Sequence, residues 1–346
     1  FNGAGLDAFY ITNPENRFYL SGFSGTAGAL LLCRDQSYLL TDFRYIDQVS
    51  HESPGFTIIE VKGTYADALF EIVKEKGLLR LGCEGDHLTY NQFVALADKL
   101  KGVELRPSSG QVEGLRLCKD DSEVRLIKEA VRIASQAFLQ ELPGIKPGVT
   151  EQQVALRLEY TMRQMGAGGA AFKIIVASGA RSAMPHGVAS TKVIREGDIV
   201  TLDFGAVFCG YHSDITRTVV VGWSRQKLED IYQIVLEAQM KAIAVLKAGV
   251  RAADVDRAAR GVIESRGYGP FFGHSTGHGL GLNVHENPSL SVKNDAILQA
   301  GMVVTVEPGI YLPGWGGVRI EDTVLVEERG CKVLSELPKM QLTVLK

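Results

Sequence analysis

The chain lacks any apolar run approaching the 18 or so residues that a membrane-spanning helix requires; its greasiest stretches, residues 28–33 and 199–208, are short or carry an acid. No bilayer-crossing helix is expected. Cysteine is scarce: Cys33, Cys83, Cys118, Cys209 and Cys331 are odd in number and form no Cys-x-x-Cys. A disulfide framework is therefore not expected, and a reducing, cytoplasmic compartment is. The chain opens on Phe1 rather than Met, which leaves a leader segment open. Charge of one sign is also missing. With Lys+Arg 37 against Asp+Glu 40 and a net charge of -3, there is no basic excess for a nucleic-acid surface. What is present is ordinary globular composition, 45% hydrophobic and 22% charged, which excludes a bulk-disordered chain. At 346 residues the length suits about two domains.

The first third alternates short apolar runs (residues 8–11, 29–33, 37–40, 56–61 and 79–82) with helical stretches at 65–76 and 91–100, the pattern of a small α/β domain. Pro107, Ser108, Ser109 and Gly110 read as a linker and place the boundary between residues 1–117 and 118–346. Beyond it, Asp120 with Glu123 makes a capping box ahead of Val124, Ile127, Val131, Ala134 and Phe138, an amphipathic helix ended by Pro143-Gly144. Thr150 with Gln153 opens a second helix bearing Val154, Leu158 and Met162. Two more helices are predicted over 224–247 and 253–266, closed by Gly249 and Gly267. Strand-rich segments follow each pair. The fold class is α+β, with helices on one face of a curved, mainly antiparallel sheet and a motif used twice.

The strand Ile199-Val200-Thr201-Leu202-Asp203-Phe204-Gly205 and the strand over 211–221, interrupted by Asp214, flank Cys209-Gly210 and should form a hairpin. A two- or four-residue loop puts both carboxylates on one face, opposite or one diagonal step apart, within about 8 Å. Two such acids on an apolar face demand a proton or a cation between them. Near the C-terminus, an apolar strand over 302–307 ends in Glu307 before Pro308-Gly309, and a later strand places Glu321 between Ile320 and Val324, with Arg319 and Thr323 on its face. Between the acidic pairs, His274, His278 and His285 are threaded through Gly273, Gly277, Gly279 and Gly281, glycines that let backbone approach a ligand closely. Four carboxylates and one imidazole would suit divalent Mn, Fe, Co or Zn. That much negative charge matches two cations, which lower the pKa of a shared water and make a hydrolase the natural reading.

Asp203, Asp214, His278, Glu307 and Glu321 in that order, with Asp203-Phe204-Gly205, Ser213-Asp214-Ile215-Thr216-Arg217, Gly277-His278-Gly279-Leu280-Gly281, Val284-His285-Glu286 and Glu307-Pro308-Gly309-Ile310-Tyr311, resemble the Xaa-Pro peptidases, prolidase and aminopeptidase P. The resemblance spans nearly the whole chain. It implies a pita-bread catalytic domain preceded by a smaller creatinase-type N-terminal domain. It implies two divalent metal ions, manganese first with cobalt or zinc as alternatives, held by Asp203, Asp214, His278, Glu307 and Glu321. Glu307 would also take the proton of the attacking water. By the same resemblance, His186 and His285 steady the substrate and its oxyanion, Arg319 supports the site, and His274 and Tyr311 belong to the proline-binding side. Tyr211 is assigned to substrate-site support beside Asp214.

One departure concerns Ser289, which stands where a prolidase of this size is expected to carry a basic clamp for a dipeptide carboxylate. Its loss favours an Xaa-Pro aminopeptidase acting on short peptides with proline second, with an Xaa-Pro dipeptidase as the alternative. A methionine aminopeptidase would share the five ligands but lacks the extra domain, creatinase lacks the ligand set, and a non-catalytic binding homologue would not need five intact ligands. The resemblance also implies a homodimer. In the N-terminal domain only Asp42-Phe43-Arg44-Tyr45 stands out, and a surface ion pair is an equal reading of Arg44.

Overall fold

The apolar runs of the first third become strands because a sheet covered by helices on both sides buries every residue of such a run. In the computed structural model, which describes residues 5–346, the five runs and a sixth strand beyond them form one sheet: β1 (Ala8–Ile11), β2 (Ala29–Cys33), β3 (Ser37–Thr41), β4 (Thr57–Glu60), β5 (Arg80–Glu84) and β6 (Glu104–Ser108), in the order β4-β3-β2-β1-β5-β6. Successive residues of β1 point to different cores. Ala8 and Tyr10 pack with helices α3 (Tyr65–Lys76) and α4 (Tyr90–Lys99), while Phe9 and Ile11 pack on the side of α1 (Pro14–Ser21), α2 (Ile46–Glu52) and α5 (Gln111–Arg116). The stretch read as a linker is instead edge strand β6, a turn at Ser109-Gly110, and α5. Pro107 is tolerated there because an edge strand leaves one row of amide positions outside the ladder. Contacts divide the chain into Phe1–Arg116 and Leu117–Lys346.

The second unit begins with α6 (Asp121–Glu141), whose cap Asp120 exchanges hydrogen bonds with Glu123, and α7 (Glu151–Gln164), capped by Thr150 with Gln153. The second helix pair is α8 (Gln226–Val245) and α9 (Ala252–Ser265). Two short strands at the first pair's exit start the sheet region: β7 is Gly169–Ala170 and β8 is Ile175–Ser178. Then come β9 (Ile199–Phe204), β10 (Ala206–Phe208), β11 (Tyr211–His212) and β12 (Ile215–Val221). After α9 follow β13 (Gly277–Gly279), β14 (Glu286–Leu290), β15 (Val303–Val306), β16 (Gly309–Leu312), β17 (Gly316–Arg319) and β18 (Asp322–Glu327). The expected single strand through Glu321 is thus two strands with Ile320 and Glu321 between them. One core lies between α8, α9 and the inner face of β15 and β18, where Ile231, Val235, Val255, Ala259, Val304, Val306 and Val324 are fully buried. Among the described residues no helix is long and apolar enough to cross a membrane.

Candidate metal centre

Two long hairpins, each interrupted at its acids, build the centre. In the first, Asp203 pairs with Thr216 and Phe204 with Ile215, and the same register continues through Val207 with His212 and Phe208 with Tyr211. It closes in a two-residue turn at Cys209-Gly210, with φ 47 and 84, the positive values a type I′ turn requires. Constant register puts Asp214 opposite Gly205, one diagonal step from Asp203 on the same face. A Cβ at Gly205 would lie 1.8 Å from the Ser213 carbonyl oxygen, so glycine alone lets the strands close there.

In the second hairpin, Val306 pairs with Asp322 and, further out, Gly309 with Arg319. The unbroken register sets Glu307 opposite Glu321. Pro308 lacks an amide hydrogen, which accounts for the break in the ladder at that point. The hairpins meet where the Glu321 N–H donates to the Thr216 carbonyl at 3.2 Å and the Thr216 hydroxyl donates to Glu321 Oε2 at 2.7 Å. His278 arrives on β13, its N–H on Thr305 Oγ1 at 3.1 Å, while the Glu307 N–H donates to the Thr276 carbonyl at 2.7 Å.

His278 Nε2 stands 3.6 Å from Asp214 Oδ2 and 3.4 Å from Glu307 Oε1. Asp214, His278 and Glu321 each offer one ligand atom within 4.8 Å of the others. The His278 Nδ1–H donates to the Gly279 carbonyl at 2.9 Å, which leaves the Nε2 lone pair facing the carboxylates. Burial, then the charges of Glu321, Asp203 and Glu307, holds the Asp214 carboxyl well above its ordinary pKa. Burial followed by Glu307 and Asp203 does the same to Glu321. Burial, with the charge of Asp203 added and Arg319 opposing, pushes Glu307 up to about 8. Asp203 Oδ1 is buried with no hydrogen-bond partner. Crowded acids that resist ionising, an unpartnered carboxylate oxygen and an imidazole lone pair are the donor set of a divalent cation site, and they fit one.

Arg319 organises the margin. It donates to Asp203 Oδ2 at 2.6 Å, to the Tyr311 hydroxyl at 2.9 Å, to Thr216 Oγ1 at 3.0 Å and to the Pro185 carbonyl at 3.2 Å. Tyr311, with its pKa pushed up to about 12 by burial, passes its own proton toward His274 Nε2 at 2.9 Å. The His274 Nδ1–H is held by the Ser275 carbonyl at 2.8 Å, and burial foremost lowers its pKa to about 4. His274 is therefore a neutral imidazole. His285 is exposed, its ring 4.4 Å from that of His278. His186 is exposed, in a turn of the loop between β8 and β9.

Tyr211 is a correction. Three residues before Asp214, it faces the other side of the strand, and its hydroxyl donates to Glu123 of α6 at 2.9 Å, away from the acids. Arg44 makes the surface ion pair of its second reading, forked onto Asp42 at 2.8 Å. Sequence reasoning passed over Thr216 and Thr305, although each stands two residues from an acid and so shares its face. It also passed over Glu286, which takes the Asn283 N–H at 3.1 Å and the buried Lys119 ammonium at 3.0 Å, bracing the loop that ends in His285. Lys119 is far away in sequence, and no spacing signals the pair.

Such a cluster at the meeting of two antiparallel hairpins, walled by helix pairs, defines a metal-dependent hydrolase. The family model described as "Metallopeptidase family M24" matches residues 125–328, and that of the "Creatinase/Prolidase N-terminal domain" matches residues 1–118. The chain belongs to metallopeptidase family M24 and carries its pita-bread catalytic fold behind a creatinase-type N-terminal domain. It is similar to a solved Xaa-Pro dipeptidase from Bacillus anthracis, at 49% identity and a TM-score of 0.97, covering 100% of this chain and 97% of that one. It is similar also to a solved X-Pro aminopeptidase from Thermotoga maritima MSB8, at 42% identity and a TM-score of 0.93 over 99% and 98% of the two chains. The Xaa-Pro dipeptidase of Pyrococcus furiosus is 41% identical over 332 residues, 96% of this chain and 94% of that protein.

Proposed function

We propose that the protein hydrolyses the bond between an N-terminal residue and proline, with Xaa-Pro dipeptides as preferred substrates. The observation that carries this reading is the gathering of Asp214, Glu307 and Glu321 about the His278 lone pair, with Asp203 beside them on Arg319, next to the Arg319–Tyr311–His274 chain of hydrogen bonds. The Ser289 substitution pointed toward longer peptides. The names of the Bacillus anthracis and Pyrococcus furiosus relatives favour dipeptides instead, and the Thermotoga maritima relative keeps an aminopeptidase as the second reading.

Asp203, Asp214, His278, Glu307 and Glu321 would hold two divalent cations, manganese first with cobalt or zinc as alternatives, which when bound supply Lewis acidity and lower the pKa of the attacking water. Glu307 accepts the attacking water's proton as general base. His186 and His285, both exposed, donate to the substrate carbonyl oxygen as charge builds on it. Neutral His274, fixed by Tyr311 and Ser275, lines the proline side. Arg319 holds the Asp203 carboxylate in place through its 2.6 Å hydrogen bond to Oδ2. A homodimer and a cytoplasmic location complete the reading.

The test is hydrolysis of an Xaa-Pro dipeptide, the matching Xaa-Pro tripeptide and a Met-Ala peptide, before and after chelation and after Mn²⁺ is restored. Expected is metal-dependent cleavage, fastest on the dipeptide. Undiminished activity after chelation would sink the mechanism, a faster tripeptide would restore the aminopeptidase reading, and methionine release would replace both.

A further inference from the structure

His274 sits in residues 272–276, a segment with no helix or strand of its own, so its backbone is placed by side chains. An ion pair on α9 does this. Asp256 and Arg260 are one helical turn apart, with the Arg260 guanidinium donating to Asp256 Oδ2 at 2.8 Å and Oδ1 at 3.1 Å. Asp256 is fully buried, and the Arg260 side chain is 20% exposed. Two of the remaining guanidinium hydrogens go to the Phe272 carbonyl at 2.8 Å and the His274 carbonyl at 2.7 Å. The guanidinium also lies 4.2 Å over the Phe272 ring, which meets the His274 ring edge-on at 5.1 Å. At the far end of the segment, Asp256 Oδ1 accepts the Thr276 N–H at 3.0 Å and its hydroxyl at 2.9 Å. One buried pair therefore grips both sides of His274.

We propose that Arg260 is a positioning residue for the His274 imidazole and acts on substrate binding through it. Planarity is what the task needs: a guanidinium spans two carbonyls and a carboxylate while stacking on a ring, and an ammonium has neither the fork nor the face. The kinetic part of the proposal rests on the peptidase reading above; the placement of the imidazole does not.

Two measurements test it. In Arg260→Lys the KM for an Xaa-Pro dipeptide rises about tenfold while kcat stays within about twofold, the signature of lost positioning for binding. In a His274→Ala background the same substitution changes KM by less than about twofold, because its effect travels through the missing ring. Independently of substrate, the slowly exchanging His274 Nδ1–H resonance, identified by its loss in His274→Ala, disappears in Arg260→Lys while the variant remains folded. Arg260→Gln, which strands Asp256, serves as the second variant and shifts KM in the same direction. Equal KM factors with and without His274, or a His274 resonance unchanged in Arg260→Lys, overturn the proposal. Failure of the wild type to cleave Xaa-Pro peptides overturns the substrate reading, and the resonance then still decides the positioning.

Discussion

Glu307 meets two demands through one carboxyl group: it stands within 3.4 Å of His278 Nε2, and its pKa is raised to about 8 chiefly by burial. Replacing it by Gln keeps the shape and removes the basicity. Glu307→Gln is expected to lower kcat by about two to four orders of magnitude with KM altered much less, read from steady-state kinetics on an Xaa-Pro dipeptide. The raised pKa also makes a statement about the metal-free protein. An acid with a folded pKa above its unfolded one favours the fold below the ordinary glutamate value, and that advantage is lost as the pH climbs toward about 8. The Tm of chelated protein should therefore fall between pH 5 and pH 8 relative to protein supplied with Mn²⁺. A gap that stays constant across that range would contradict the charge-crowding account.

At the scale of elements, Gly205 is the tightest point of the first hairpin. Gly205→Ala forces the Asp203 and Asp214 strands apart; the expected cost is about 3 kcal/mol of stability by denaturant unfolding, with weakened Mn²⁺ binding by titration calorimetry. The loop that carries His186 depends on a different acid. Glu151, fully buried at the start of α7, accepts the N–H and hydroxyl of both Ser178 and Ser190 and pairs with Arg181. Burial works against its ionisation, but the serine hydrogen bonds outweigh it and hold the pKa below the usual glutamate value. Its contribution is present above that ordinary value and is lost as the pH falls through the lower folded one. Glu151→Gln should cost about 2 kcal/mol at pH 7 and flatten the acid limb of the stability curve. Hairpin geometry was legible beforehand because strand faces alternate strictly, so the parity of Asp203 and Asp214 sufficed. The same rule, applied to Tyr211, would have turned it away from the acids. The bond from Thr216 to Glu321 was not legible, since it joins strands far apart in the chain, and no local pattern encodes which hairpins meet.

For the whole molecule, helix caps and apolar periodicity disclosed the order of two helix pairs and two strand sets, and the resemblance of five short strings carried the catalytic fold. The stretch over 106–117 misled because proline, serine and glycine mark an edge strand and its turn as readily as a linker. Arg260 and Lys119 escaped notice because the groups they brace lie on other segments, the Phe272 and His274 carbonyls for Arg260 and Glu286 for Lys119. Because the five donors come from chain segments before and after the α8–α9 helix pair, cation binding should tie the catalytic unit together. Adding Mn²⁺ to chelated protein is expected to slow hydrogen exchange in β9, β12, β15 and β18 together; protection confined to one hairpin would argue against a shared site.

The unbroken register of both hairpins constrains how this lineage can change in length. A codon gained within residues 206–208 or 211–213 would rotate Asp214 to the opposite side of its ribbon, whereas one gained at the Cys209-Gly210 bend or between Leu312 and Gly316 would be absorbed by the reversal itself. Insertions and deletions among descendants should therefore gather at the two bends and be purged from the arms, which makes the arms a fixed ruler and the bends the place where new specificities can be tried.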